Sequence, residues 1–289
     1  MKGTLRVVRA EWYRALHSRV LFFAALFLAA VSALRVGAAW LADQAAYTAV
    51  VQRALSQGRE VPPPPGPGNA WSPFVDGWLA GLTVGTLLLL IASARSLASD
   101  RESGLLRVAR TRSASRTGLV LGRALLGVLL VLGTIAITGL GSFVAARALY
   151  VFGPITEGSY EIYSQAELQQ ELLAALRVTL PPLLATWTFG LCLSAIVRGG
   201  TGAVSAALAI YLGYDLFKDV LGPDQYWVFA AFNPSFVDNS CLHEMSGIAR
   251  GLSDAGYSEV LYAQNLWLPW PWAAGLLVLA CVVTRRRAL

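Results

Sequence analysis

The sequence has little charge and few of the residue types that carry out chemistry in enzymes. Only 14% of its 289 residues are charged, whereas soluble domains carry about 25%. The chain contains two histidines and three cysteines. Because 56% of the residues are hydrophobic, we infer that lipid rather than water surrounds most of the chain.

The few cysteines and histidines exclude two kinds of site. Three cysteines cannot form a disulfide framework, and Cys192 and Cys281 lie in apolar runs, where a free thiol behaves as a small hydrophobe. His17 and His243 are too far apart for a zinc-protease motif, which needs two histidines one helical turn apart. The run from Cys241 to Met245 contains soft-metal ligand types, so a copper contact and an ordinary loop fragment are both open interpretations.

Lysine is equally scarce, and this excludes a phosphate-binding P-loop. That motif needs Gly-Lys followed by Ser or Thr, but Lys2 follows Met1 and Lys218 follows Phe217. We therefore predict that the chain is not an enzyme and binds no cofactor, so that any ATP it uses is bound by another subunit. The net charge of +6 does not indicate nucleic acid, because the basic residues flank apolar runs.

Six apolar segments are long enough to cross a membrane, for which a helix needs about 20 residues. The predicted spans are about 20–42, 77–97, 120–146, 178–197, 201–220 and 260–284. Pro181 and Pro182 are placed near the start of the fourth span, where proline is tolerated. Asp215, Lys218 and Asp219 interrupt the end of the fifth, and a local ion pair explains them. The sequence thus predicts an all-α polytopic membrane protein.

The distribution of basic residues predicts the orientation of these spans. Of the 23 arginines and lysines, 16 lie in the segments that face inward if the N-terminus is cytoplasmic, and 7 lie in the outer segments. Inner loops are enriched in these residues. We therefore expect a multi-pass protein of the plasma (inner) membrane with both termini cytoplasmic. A cleaved signal peptide is an alternative interpretation of the first run, because small residues occur near 38–42.

The segments outside the spans have patterns of their own. Apolar residues recur at helical spacing near the N-terminus, which predicts an amphipathic interfacial helix over residues 1–18; an extension of the first span is the alternative. The stripe consists of Leu5, Val8, Trp12 and Leu16. Val61 to Gly68 is predicted to be a stiff polyproline-like connector. The outer segment 221–259 is expected to form packed loops or short helices.

The most informative segment is the predicted cytoplasmic loop 98–117, together with the start of the third span. A positive-inside loop explains its arginines, but not the order of its other residues. That order resembles the membrane subunits of type-2 ATP-binding-cassette (ABC) exporters, in which Glu-x-Gly, a leucine-rich turn, Pro-x-Ser-Arg and Gly-Lys follow one another. The matching residues are Glu102, Gly104, Leu106, Ser115, Arg116, Gly122 and Arg123. Ser113 occupies the usual proline position, and Arg123 replaces the lysine.

The resemblance implies a single permease domain over residues 1–289 and a coupling loop that docks on an ABC ATPase subunit. ATP and Mg would be bound by that subunit, and a second permease copy or a close relative would complete the transporter. The resemblance and the loop's apolar and basic residues together predict an ATPase-coupling site. Its residues are Asp100, Glu102, Gly104, Leu105, Leu106, Val108, Arg112 and Arg116. Basic residues here also predict contact with membrane lipid headgroups.

Two other classes of function stay open at this stage. A secondary transporter or channel would share the same spans and need no ATPase. An intramembrane enzyme would need clustered nucleophiles or metal ligands at one depth, and the spans show no paired carboxylates. The transported substrate cannot be deduced from the sequence.

Overall fold

Among the residues that the structure describes, the chain is all-α apart from one short hairpin. The computed structural model describes residues 12–13, 17–63, 68–103, 116–157, 160–238, 240–252 and 256–286. Its helices are α1 (Arg19–Ser56), α2 (Trp71–Glu102), α3 (Arg116–Leu149), α4 (Gln165–Ile196), α5 (Gly200–Phe217), α6 (Cys241–Ala249), α7 (Glu259–Trp267) and α8 (Pro269–Arg286). Strands β1 (Ile155–Glu157) and β2 (Tyr160–Tyr163) pair antiparallel. Two 3₁₀ segments, Lys218–Trp227 and Phe229–Phe232, follow α5.

In the described part of the chain, five helices are long and apolar enough to cross a membrane, which indicates a membrane protein. They are α1, α2, α3, α4 and the continuous pair α7–α8. These helices cover the first four predicted spans and the sixth. The segment predicted as the fifth span forms α5, which has 18 residues and is not among the five.

The first long helix extends well beyond its apolar run. α1 has 38 residues, and at 1.5 Å per residue it is about 57 Å long, against a hydrocarbon core of about 30 Å. The apolar run ends near residue 42, but the next residues are mostly good helix formers and include no glycine or proline. The helix ends at Ser56, and Gly58, two residues later, adopts a positive φ of 63°, which is the usual way for a glycine to terminate a helix.

The position of Pro181 and Pro182 was predicted wrongly. Both lie inside α4, far from its first residue, Gln165. The helix begins earlier because Ser164 and Glu167 form a capping box, in which each side chain bonds the other residue's backbone N–H. The two prolines leave the carbonyls of Arg177 and Val178 without their usual N–H partners, which membrane helices tolerate at proline positions.

α2 lies at the centre of the fold and contacts α1, α3, α4 and α5. Its glycines at every fourth position, Gly77, Gly81 and Gly85, face side chains of α1 and α3 so closely that any Cβ there would overlap them. Small residues at this spacing allow membrane helices to approach each other closely. The main hydrophobic core lies around the aromatic residues Trp71, Phe74 and Trp78 and extends into α4 and α6.

At the end of the bundle predicted to face outward, polar contacts join α1, α2 and α6. The Asp76 carboxylate accepts hydrogen bonds from Arg250 at 2.8 and 2.9 Å and from the Ser246 hydroxyl, and it lies 3.4 Å from Arg35. The described residues of the segment 221–259, which was expected to form packed loops or short helices, include α6, and this helix packs on α2 and α4. The β1–β2 hairpin nearby was not predicted.

The predicted ion pair at the end of α5 is present and deeply buried. Lys218 Nζ lies 2.9 Å from Asp215 Oδ1, and both side chains are almost completely inaccessible to solvent. Lys218 also donates to the Ser235 hydroxyl, while the Phe236 backbone N–H donates to Asp215. The pair therefore anchors the segment after α5 to the helix itself.

Candidate functional site

Three consecutive charged residues at the end of α2 contact three other helices. Asp100, Arg101 and Glu102 form the last turn of α2 and lie at the start of the predicted coupling loop 98–117. On a helix, consecutive residues point about 100° apart, so each of these side chains faces a different neighbour. The contacts all lie at the end of the bundle predicted to be cytoplasmic.

Asp100 pairs with Arg123 of α3. The Arg123 guanidinium donates to the Asp100 carboxylate, and the two side chains are 7% and 16% exposed. A charge-assisted contact in such a shielded position is stronger than an ion pair on the surface. It fixes the start of α3 relative to the end of α2.

Arg101 binds the C-terminal end of α4. Its guanidinium donates to the backbone carbonyl of Val197 at 3.0 Å, with longer contacts to the carbonyls of Ser194 and Ala195. The last carbonyls of a helix have no partner within the helix and carry partial negative charge. Arg101 therefore supplies both the missing donors and the complementary charge.

Glu102 binds the beginning of α5. Its carboxylate accepts a hydrogen bond from the Gly200 backbone N–H at 3.0 Å, where the helix end carries partial positive charge. A Cβ at Gly199 or Gly200 would lie only 3.0 or 3.2 Å from a carboxylate oxygen. The two glycines thus leave room for a glutamate from another helix to act as the cap.

We call the last turn of α2, together with the residues that it bonds on α3, α4 and α5, the junction. A second layer of contacts supports it between α2 and α4. The Ser194 hydroxyl accepts hydrogen bonds from the backbone N–H groups of Leu97 and Ala98, both at 2.9 Å. One turn earlier, Gly190 lies directly against Ser93. The last turns of α2 and α4 are therefore held together by close backbone approach.

The structure describes part of the predicted coupling site. Asp100 and Glu102 belong to the junction just described, and Arg116 begins α3. The predicted loop 98–117 is too long at its start, because residues 98–102 are still helical. The remaining predicted site residues lie outside the described part of the chain: Gly104, Leu105, Leu106, Val108 and Arg112.

The predicted interfacial helix is described only at Trp12 and Tyr13, which are helical. Leu5, Val8 and Leu16 lie outside the described residues. Trp12 lines an apolar cavity between α1, α2 and α3. The Tyr13 ring stacks on the ring of His17, with the two centroids 4.1 Å apart.

Sequence reasoning missed several residues of the junction. Arg101 was in the predicted segment without a role, and Arg123 was noted only as the counterpart of a lysine. Ser194, Gly199 and Gly200 were not considered at all. A signal was present, since Arg198-Gly199-Gly200 leaves only a tight turn between two apolar segments.

Two cavities adjoin the junction, and Trp187 lines both. One, of about 490 Å³, lies between α1, α2 and α3 and is lined near its polar end by Arg95, Ser99, Asp100 and Arg123. The other, of about 610 Å³, is almost entirely apolar and lies between α3, α4 and α8. Movement of the junction would therefore change the walls of both cavities.

The copper interpretation of residues 241–245 finds no support in the geometry. Cys241 and Met245 are buried on one face of α6, while His243 is exposed. Burial, with the nearby carboxylates of Glu171 and Glu244, raises the pKa of the Cys241 thiol to about 12. A thiol that stays protonated is a poor metal ligand. Within the described ranges, no three histidine, cysteine, aspartate or glutamate side chains group so as to hold a metal ion.

No protein-family model and no curated protein matches this chain.

Proposed function

We propose that this chain is the permease subunit of an ATP-driven exporter of the type-2 ABC class. In this role it couples ATP hydrolysis on a separate subunit to movement of a substrate across the membrane. ATP and Mg belong to that nucleotide-binding subunit, and a second permease copy or a close relative forms the other half of the pathway. The 104–115 segment between α2 and α3 is the docking site for the ATPase.

One observation carries the proposal: the residues that lead into the 104–115 segment are bonded to three helices at once. Asp100 holds α3, Arg101 holds the end of α4, and Glu102 holds the start of α5. A displacement of the segment after Glu102 is therefore transmitted to α3, α4 and α5 together. Coupling requires a rigid connection of this kind, whereas a loop that serves only orientation does not.

The proposal includes a membrane topology finer than the five long helices alone. α5 serves as a sixth span, with its 18 residues covering about 27 Å of a core of about 30 Å. Both termini then lie in the cytoplasm of a plasma (inner) membrane, and residues 1–18 lie along its surface. The excess of arginine at one end of the bundle supports this orientation.

The test is to purify the full-length chain from its native membrane in a mild detergent and measure ATPase activity. We expect a nucleotide-binding subunit to co-purify and its ATPase activity to be stimulated by the chain. Glu102→Gln weakens the cap on α5, so stimulation is expected to fall at least tenfold while the protein still inserts. A matched control is Glu167→Gln, which weakens a capping glutamate at the opposite end of the bundle.

The outcomes separate the proposal from its main alternative. A secondary transporter or channel would purify without an ATPase, and an ion gradient alone would drive its transport. Normal stimulation in Glu102→Gln, or equal losses in Glu102→Gln and Glu167→Gln, would also contradict the proposed coupling.

A further inference from the structure

The cavity beside Arg123 has a polar end with excess positive charge. Arg95, Arg123 and Asp100 all line it, together with the hydroxyls of Ser96 and Ser99. Asp100 and Arg123 neutralise each other in their ion pair. Arg95 has no hydrogen bond or ion pair within the part of the chain that the structure describes. The Ser96 hydroxyl donates to the Ser93 carbonyl at 2.7 Å, so the charge of Arg95 and the Ser99 side chain are the polar groups that this end of the cavity offers to a ligand.

The rest of the cavity is apolar and continues into a second one. The second cavity, of about 340 Å³, is lined by apolar residues of α1, α2 and α3 with Thr134 as a polar exception. The two share five lining residues: Leu21, Ala24, Leu88, Ala92 and Leu130. They therefore form a continuous groove that is polar at one end and apolar along its length.

The length of the groove fits a hydrocarbon chain. Its residues on α3 extend from Arg123 to Ile137, which corresponds to about 21 Å of helix. One leaflet of the hydrocarbon core is about 15 Å thick, so the groove can hold a whole acyl chain. Arg95 lies seven residues before the end of α2, about 10 Å along the helix. An arginine near a helix end is well placed to meet a lipid headgroup.

We propose that this groove binds one anionic phospholipid, with the headgroup phosphate at Arg95 and an acyl chain between α1, α2 and α3. The charge at Arg95 selects an acidic lipid over a zwitterionic one, because a single basic residue near the headgroup favours negative charge. The bound lipid lies against the Asp100–Arg123 pair. The inference rests on the chain being a membrane protein and is independent of its pairing with an ATPase.

The test is a lipid titration of the purified full-length chain in detergent, followed by native mass spectrometry. Phosphatidylglycerol and phosphatidylcholine with identical acyl chains are compared, and we expect tighter binding of phosphatidylglycerol. Arg95→Gln is expected to lower the affinity for phosphatidylglycerol about fivefold and to lower that for phosphatidylcholine less, because the choline cation already offsets the charge of its phosphate. Ala92→Phe fills the shared part of the groove, so it is expected to weaken the binding of both lipids.

Controls distinguish this site from general attraction to the protein's charge. Arg147→Gln removes an exposed arginine at the other end of α3 and is expected to change neither affinity. Glycerol phosphate alone is expected not to bind, because it lacks the acyl chain. Equal affinity for the two lipids, an equal effect of Arg95→Gln and Arg147→Gln, or tight binding of glycerol phosphate would each overturn the proposal.

Discussion

The indole Nε1 of Trp187 donates a hydrogen bond to the backbone carbonyl of Arg123 at 3.2 Å. This bond joins the middle of α4 to the first turns of α3, and the ring is 3% exposed. Gly127, one turn after Arg123, lies against the same ring. Trp187 is thus the common wall of the two cavities beside the junction.

Truncation of the Trp187 side chain should therefore strongly destabilise the fold. We expect Trp187→Ala to lower the free energy of unfolding by about 3–5 kcal/mol, the range for large aromatic residues in a packed core. Thermal unfolding in a fixed detergent measures this. Trp267→Ala is the control. That side chain is 68% exposed, so its truncation should lower the free energy of unfolding much less. Similar losses in both variants would show that Trp187 does not pack as described.

Close approach of α3 to α1 depends on Gly141. A Cβ at this position would lie 2.7 Å from the backbone carbonyl oxygen of Ala29, whereas a Cβ at Gly133 would meet nothing within 4 Å. We expect Gly141→Ala to destabilise the fold by about 1–3 kcal/mol, as overpacking does. Gly133→Ala makes the same substitution in the same helix without the clash, and unfolding experiments should find it neutral or slightly stabilising.

The buried pair of Asp215 and Lys218 should be sensitive to the loss of one partner. Lys218→Met keeps most of the side-chain volume but leaves the carboxylate unpaired, and we expect a loss of about 3–5 kcal/mol. Adding Asp215→Asn removes that charge and keeps an acceptor for the Phe236 N–H. The double variant should therefore recover more than half of the loss, again measured by unfolding. If the losses in free energy of unfolding caused by the two substitutions simply added in the double variant, the pairing would be contradicted.

Asp238, in the segment between α5 and α6, should make stability depend on pH. Burial raises the pKa of its carboxyl group, although contacts with Ser240 and the charges of His243 and Lys218 act in the opposite direction. Because the pKa is raised in the folded state, this group contributes its full stabilisation at pH values below the ordinary aspartate pKa of about 3.9. That contribution is lost as the pH rises through the raised value.

The variant Asp238→Asn removes this dependence and keeps an oxygen that can accept from the Ser240 N–H. Its stability relative to the unsubstituted protein should therefore increase as the pH rises. Melting temperatures measured across a pH series test this. Asp224→Asn, at an exposed position in the same segment, should show no such trend. If the stability difference between Asp238→Asn and the unsubstituted protein did not change with pH, the raised pKa of Asp238 would be refuted.

The sequence predicted the long helices well because a membrane imposes a simple requirement on length and hydropathy. It predicted their ends poorly. The start of α4 is set by Ser164 and Glu167, and the end of α1 by Gly58, local signals that lie outside the apolar runs. The hairpin after α3 depends on only a few backbone pairs, which the sequence does not indicate.

The sequence predicted only part of the candidate site, and the reason differs from the one that applies to the helix ends. The order of residues around Glu102 drew attention to the segment that contains Asp100, Arg101 and Glu102. Its partner, Gly200, is 98 positions away, and no pattern in a single sequence connects two such distant residues. Arg101 was missed because its partners are backbone carbonyls of α4, which have no signature in the sequence.

The great length of α1 makes its far end a sensitive indicator of motion. The Tyr150 hydroxyl holds the helix at Asp43 through a 2.8 Å hydrogen bond. The remaining residues, up to Ser56, extend about 20 Å further. A rigid rod held at Asp43 amplifies small rotations beyond that point: a tilt of about 10° along some 20 Å carries the tip about 3 Å. A spectroscopic label at Ser56 would therefore report tilting of α1 that is too slight to detect near its base.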